Sequence, residues 1–462
     1  MMRRGYIIGL AVLAVMMGGC KLGEKYARPE LGLPETIDGV TDSVSVSGIE
    51  WWDLYRDTVL QGLILQTLVY NKDMQIAAAR VKEMMETQRI SKADLFPKID
   101  AKIAGQREYD KTPDFTYEGK GLLSWELDLW GKLRWGNQAA VADYLATVEG
   151  KRALQITLIA GVARAYFELT ALDHELSIVR QTLAARQEGV RLAKLRFEGG
   201  LTSETSLKQA QVELARTQTL TPGLEKAIRI KENEIALLAG QYPRPTQRGE
   251  SLEQQQLPAT LPVGMPSSLL HRRPDICQAE YKLRQAHAKV GIAFTDMFPK
   301  ITLTGHYGLE SGELSDFLKS PYFFLSGQLL QPVFNMGKNR AKLRAAKAVR
   351  EQEVYAYQKV VLNAFSEVSN ALITSGKNRE IRQSRKNLEE AARSALDLAT
   401  LQYINGIINY LDVLDAQRNY FDAQIGLNNA IRDELLATVQ LYKVLGGGAE
   451  RSEAPLRMKN EK

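Results

Sequence analysis

The sequence predicts a mainly α-helical fold with a smaller β part, built as two copies of one unit. Three observations predict it. Leu192 to Gln218 and Leu398 to Gln424 align at a constant offset of 206 residues, with identities at Leu192/Leu398, Ala193/Ala399, Leu195/Leu401, Gly200/Gly406, Ala210/Ala416, Gln211/Gln417 and Gln218/Gln424. Seven matches in 27 positions, against roughly two by chance, mark an internal repeat. Lys132 to Gly199 and Lys338 to Asn405 both lack proline and carry apolar residues at helical spacing. Each of these stretches follows a pair of segments in which apolar and polar residues alternate, the period of a β-strand.

The chain has 462 residues, 45% hydrophobic and 25% charged, with a formal charge of +6. This is the composition of a folded, water-contacting protein. Basic and acidic residues alternate along the helical faces, so no stripe for nucleic acid is present. Cys20 and Cys277 are the two cysteines, too few for a disulfide framework. Arg3 and Arg4 precede an apolar run, Gly5 to Met17, that is too short to span a bilayer, and Gly18-Gly19 stand before Cys20. Residues 1–19 therefore read as a signal peptide. The junction resembles a bacterial lipoprotein lipobox, which implies cleavage before Cys20 and lipidation of its thiol and new amino group. Cys277 reads as a small buried hydrophobe in a helix.

Residues 20–50, rich in Gly, Pro, Asp and Ser, are expected to form a tether. The first structural repeat, 51–240, opens with a helical pattern from Trp51-Trp52 to Leu95, stopped by Phe96-Pro97. A hairpin over 98–130 follows. Ile99, Ala101, Ile103 and Gly105 share one face, Lys98, Asp100, Lys102 and Gln106 the other, and Leu123, Trp125, Leu127 and Leu129 alternate with Ser124, Glu126 and Asp128. Such strands suit either a soluble core or a lipid-facing barrel wall.

A long helix over 132–199 comes next. Leu169, Leu172, Leu176, Val179 and Leu183 step by 3, 4, 3 and 4, the spacing of a coiled coil. Gly199-Gly200 reverse the chain into a return helix over 202–240, which Pro222 should kink or interrupt. A Pro- and Gln-rich linker, 241–266, leads to the second repeat, 267–446: a helix, a hairpin over 300–334 with its second strand from about Tyr322 to Phe334, a long helix over 338–405, a turn at Asn405-Gly406, and a return helix over 407–446. Residues 447–462 read as a flexible tail.

In this order, several motifs are similar to those of the TolC-like outer-membrane factors, lipoprotein branch (OprM or NodT type). They are Trp51-Trp52, Leu95 to Ile99, Trp125 to Lys132, Arg272-Arg273-Pro274-Asp275-Ile276, Phe298 to Ile301 and Leu411 to Gln417. The resemblance implies a homotrimer in which four strands per subunit close a twelve-stranded transmembrane β-barrel, above a long α-helical periplasmic barrel. It implies passive export through the outer membrane, with a periplasmic membrane-fusion adaptor and an inner-membrane RND-type pump as partners. The tips at Gly199, Gly200, Asn405 and Gly406 become the periplasmic end, where Asp412, Asp415 and Tyr403 match the family's gate. Three subunits would bring six carboxylates together in a ring that holds cations and responds to salt and pH. The family positions that latch onto the tyrosine carry Ser206 and Ile408 here. The opposing residues in the first copy, Ser206 and Gln209, make the acidic pair a feature of one tip only.

No catalytic site, metal site or cofactor motif is legible. His174, His271, His287 and His306 are scattered, and no Gly-Lys dipeptide is followed by Ser or Thr. Two other readings remain: a duct for protein secretion, and a periplasmic coiled-coil lipoprotein, which would leave the four strands unexplained.

Overall fold

The computed structural model describes residues 21–34, 36, 50–108, 114–255, 257–258, 261 and 266–447. The signal peptide, Cys20, tether residues 35 and 37–49, and the tail beyond Gly447 lie outside the described residues. In chain order the elements are α1 (Trp51–Leu54), α2 (Thr58–Tyr70), α3 (Lys72–Ala93), β1 (Lys98–Glu108), β2 (Asp114–Glu126), α4 (Lys132–Glu198) and α5 (Glu204–Leu238). The second half continues with α6 (Pro266–Arg272), α7 (Pro274–Thr295), β3 (Lys300–Ser311), β4 (Pro321–Leu330), α8 (Lys338–Ile404) and α9 (Tyr410–Val444). Helices α4 and α8 both have 67 residues. Helices α5 and α9 both have 35, and α3 and α7 both have 22. At 1.5 Å per residue, α4 and α8 are each about 100 Å long. No helix of the described residues is long and apolar enough to cross a membrane.

Glycines set these matched lengths. Gly131, Gly200 and Gly240 have φ of 84°, 73° and 69°, and their partners 206 residues on, Gly337, Gly406 and Gly446, have 75°, 74° and 77°. A side chain in this left-handed region costs about 1–2 kcal/mol, so glycine is the residue that lets the helix stop there. At the tips, Gly200 N donates to Phe197 O and Leu201 N to Arg196 O, while Gly406 N donates to Tyr403 O and Ile407 N to Gln402 O. Each pair is a Schellman closure that uses up orphan carbonyls at the helix end.

The four strands form one antiparallel sheet in the order β1-β2-β3-β4. Its register places Ile103 beside Gly119 and Leu309 on one face, and Lys102 beside Lys120 on the other. The polar face is laced with ion pairs. Lys120 reaches Glu310 at 3.5 Å, Lys300 reaches Glu126 at 2.6 Å, and Glu118 is clamped by both Lys102 and Lys120. The apolar face is open, with Ile99, Ile103, Tyr307, Phe323 and Leu325 all exposed. That is the reverse of a sheet covering a soluble core and fits a wall with lipid on its greasy side. β4 ends at Leu330, short of the expected Phe334, because Pro332 has no N–H to give to a ladder.

Two compact units result, and each repeat contributes to both. The unit containing the sheet also holds residues 21–32, 78–150 and 277–360. Here the Trp125–Lys132 motif is a joint: Asp128 accepts from Leu133 N and Arg134 N at the start of α4, and Trp130 Nε1 donates to Pro299 O at 2.7 Å. The start of the tether is seated on the same joint. Leu22 N donates to Trp130 O at 3.1 Å, Trp135 Nε1 to Leu22 O at 2.7 Å, and Arg28 pairs with Glu280 at 2.5 Å. Cys277 is only half-buried, in α7.

The other unit holds the large apolar core, around Trp51, Leu60, Ile64, Tyr166, Phe167 and Tyr442. Asp57 caps α2 from inside it, accepting from Val59 N and Leu60 N, from the Tyr166 hydroxyl at 2.7 Å and from Glu250 N and Gln255. The motif arginine, Arg273, donates to the Val444 carbonyl at 3.1 Å and pairs with Asp275 and Glu367, tying down the end of α9. Residues 241–255, expected as a linker, are held to this core: Leu252 is buried in it and Arg248 pairs with Asp173 and Glu232. Helix α5 runs unbroken through Pro222, so of the expected kink or interruption it is the interruption that does not occur.

Candidate functional site

The expected site residues all fall at the two hairpin tips, apart from Cys20, which lies outside the described residues. A small apolar cluster made of Ala193, Leu207, Ala210, Tyr410, Val413 and Leu414 binds the tips together. It draws on α4, α5 and α9, which is why the apolar stripes of these helices persist to their very ends. Gly189 makes room for Tyr410, whose hydroxyl lies 2.8 Å from where a Cβ would stand.

Tyr403, near the end of α8, is part of this packing. Its ring centroid is 5.3 Å from that of Tyr410, and the Arg196 guanidinium of the first tip lies 4.4 Å above it. Ile408 packs against the tip cluster, and a cation–π contact from Arg196 to Tyr403 joins the tips.

Asp412 and Asp415 are exposed on either side of buried Val413 and Leu414. Asp412 is the third residue of α9, and its Oδ2 accepts from Asn409 N at 3.1 Å, one arm of a capping box. It therefore fixes the start of the helix as well as offering charge. Asp415 accepts from Asn419 Nδ2 at 3.2 Å. At the first tip, Ser203 and Ser206 face each other at 3.5 Å and bring no charge.

Behind the tips lies an ionic cluster that sequence reasoning missed. Glu213 on α5 is 1% exposed, and three arginines converge on it. Arg418 Nη2 from α9 reaches Oε1 at 2.8 Å, Arg216 reaches the same oxygen at 3.3 Å, and Arg186 from α4 lies 3.3 Å from Oε2. Arg186 also donates to the Glu213 carbonyl at 2.9 Å and to the Thr217 hydroxyl, and lies over the Phe421 ring. Burial pushes the Glu213 carboxyl up, but the Arg418 hydrogen bond and the three positive charges outweigh it and hold it below the ordinary value. Burial lowers Arg186, Arg418 and Arg216 lower it further, and Glu213 and Asp422 oppose that. The cluster joins the hairpins through charge where the tip cluster joins them through apolar contact. Its sequence signal was a carboxylate on a buried stripe: Leu207, Ala210, Glu213 and Thr217 step by 3, 3 and 4.

No group of three or more His, Cys, Asp or Glu among the described residues is placed to hold a metal. A sheet with an open greasy face, joined to two hairpins of very long helices, defines a TolC-like outer-membrane channel protein. The chain belongs to the outer membrane efflux protein family, whose model matches residues 63–241 and 265–447. It is 32% identical to the probable efflux pump outer membrane protein TtgC of Pseudomonas putida, over 96% of this chain and 95% of that protein. It is 30% identical to the outer membrane protein OprJ of Pseudomonas aeruginosa, with 97% of each covered. Among solved structures, the open state of the MtrE outer membrane channel of Neisseria gonorrhoeae superposes with a TM-score of 0.87 at 28% identity, covering 94% of this chain and 99% of that one. The expected fold class and the outer-membrane efflux role both follow, with the helices extending into the periplasm.

Proposed function

We propose that this protein is the exit duct of a tripartite efflux system, a lipidated homotrimer that passes small molecules from a periplasmic adaptor and an inner-membrane RND-type pump to the exterior. The observation that carries the reading is the sheet. β1 and β4 are open edges, and in lipid every strand edge needs a partner. Pairing β4 of one subunit with β1 of the next, three times, closes a twelve-stranded barrel, and the long helices continue it as a periplasmic tube. The chain does no chemistry of its own, and the pump supplies the energy.

Cys20 carries the lipid anchor, and the tips at Gly199-Gly200 and Asn405-Gly406 meet the adaptor. Asp412 and Asp415 from three subunits form the acidic constriction, with Tyr403 packed behind it. The names of the relatives support the efflux assignment, since several name an efflux pump. In detergent the protein should run as a trimer that heat converts to monomer, and a photo-crosslinker at Asn405 should capture the adaptor of a small-molecule pump. A stable monomer, or capture of a protein-secretion adaptor, would overturn this assignment.

A further inference from the structure

The connector from β4 to α8 has a chemistry that its first-repeat counterpart lacks. Val333, Phe334 and Met336 are 94%, 82% and 84% exposed. Met336, at φ 52°, is the one non-glycine of the described residues in the left-handed region. The first-repeat connector is folded in, with Asp128 capping α4 and Trp130 bonded to Pro299. The helix starts differ in the same way. In α4, Lys132 and Arg134 are paired with Asp296 and Asp128. In α8, exposed Lys338, Arg340, Lys342, Arg344 and Lys347 come before any acid, and none of the five forms an ion pair among the described residues.

Five unpaired cations repel one another at i, i+3 and i+4 spacing, and a helix start disfavours positive charge further. An anionic neighbour outside the chain would offset this. Position says which one. The connector continues directly from a strand whose apolar face lies in lipid, and α8 leads away into the periplasm. Lys21, which follows the lipidation position, packs against Gly131, the counterpart of Gly337, so an anchored chain start stands at the same level.

Resting on the barrel reading above, we propose that this collar recognises the periplasmic leaflet of the outer membrane. The three apolar connector side chains enter the acyl region, and the five cations bind the phosphate groups of anionic phospholipid headgroups. Aromatic and aliphatic groups beside a basic run are the signature of an interfacial surface. Lysine and arginine stems reach the headgroup plane from either side of a 10 Å helix.

Two measurements on the full-length trimer test this. Native mass spectrometry from bilayers of phosphatidylglycerol and phosphatidylcholine should show retained phosphatidylglycerol falling by about fivefold or more when all five cations become Gln, with the trimer intact. Equal retention, or displacement by excess inorganic phosphate as easily as by lipid, would overturn the headgroup assignment. Independently of that variant, nitroxide labels at Phe334→Cys and at Ile103→Cys, in a Cys277→Ser background, should both collide with oxygen more than with an aqueous nickel complex. A lipid-exposed label at Ile103 with a protein- or water-exposed one at Phe334 would remove the collar and leave the barrel. If both labels avoid lipid, the membrane reading itself fails with it.

Discussion

The two hairpins share a backbone and divide the chemistry. Helices of equal length, stopped by left-handed glycines at equivalent positions, give both copies the same scaffold. Side chains at matching positions then part company. Glu213, buried under three arginines, has Asn419 as its counterpart in the second copy, where that residue merely steadies Asp415. Asp412 and Asp415 are exposed where the first copy has Ser206 and Gln209. Arg186 matches Ala392, and Arg418 matches Val212. Length and turn geometry are thus held in common, while the buried anchor is assigned to one copy and the exposed acidic pair to the other.

The largest effect should come from the anchor. Glu213→Ala would leave Arg186 buried without its carboxylate and should cost about 3–5 kcal/mol in unfolding of the purified protein. Asn419→Ala, at the equivalent position, should cost under about 1 kcal/mol. Equal losses would break the proposed division. The anchor also has a pH signature. Because Glu213 sits below its ordinary value of 4.5 in the folded state, its contribution is present above that pH and disappears as pH falls through the lowered value. Acid unfolding of Glu213→Gln should accordingly be less steep below pH 4.5 than that of the parent protein.

Next in size are the turns. Gly200→Ala and Gly406→Ala should each cost about 1–2 kcal/mol, and by similar amounts, since both glycines hold the same left-handed closure. A loss at one tip only would show that the two turns are not equivalent. The smallest difference separates the two roles of Asp412. Asp412→Ala removes a capping acceptor and should cost about 0.5–2 kcal/mol, whereas Asp412→Asn keeps the acceptor, loses the charge and should be nearly neutral in stability. A large loss from Asn would mean that charge, more than the cap, holds the start of α9.

Much of this was legible because it depends on local pattern. Alternation gives the strands, unbroken helical spacing gives α4 and α8, and Gly200 and Gly406 mark the turns. What was not legible depends on distant partners. Glu213 and Arg418 stand far apart in the chain, and each alone reads as a solvated charge on a helix face. Residues 241–255 look like a linker because their composition is loose, yet Asp57 and Tyr166 supply the hydrogen bonds that fix them. Pro222 reads as a break because propensity is local, whereas α5 is held on both sides of it, by Leu207 and Ala210 in the tip cluster and by Ile228 and Ile235 further on. The candidate site divided in the same way. The acids and tyrosine were visible as a motif, while the capping role of Asp412 and the contact between Arg196 and Tyr403 required the fold.

On the proposed reading, three copies form one duct whose charged constriction comes from the second hairpin alone. Single-channel recording of the reconstituted trimer in planar bilayers under a salt gradient tests it most directly. A small, cation-preferring conductance is expected, which Asp412→Asn with Asp415→Asn enlarges while moving the reversal potential toward zero. Absence of conductance, or a reversal potential untouched by the double substitution, would contradict it.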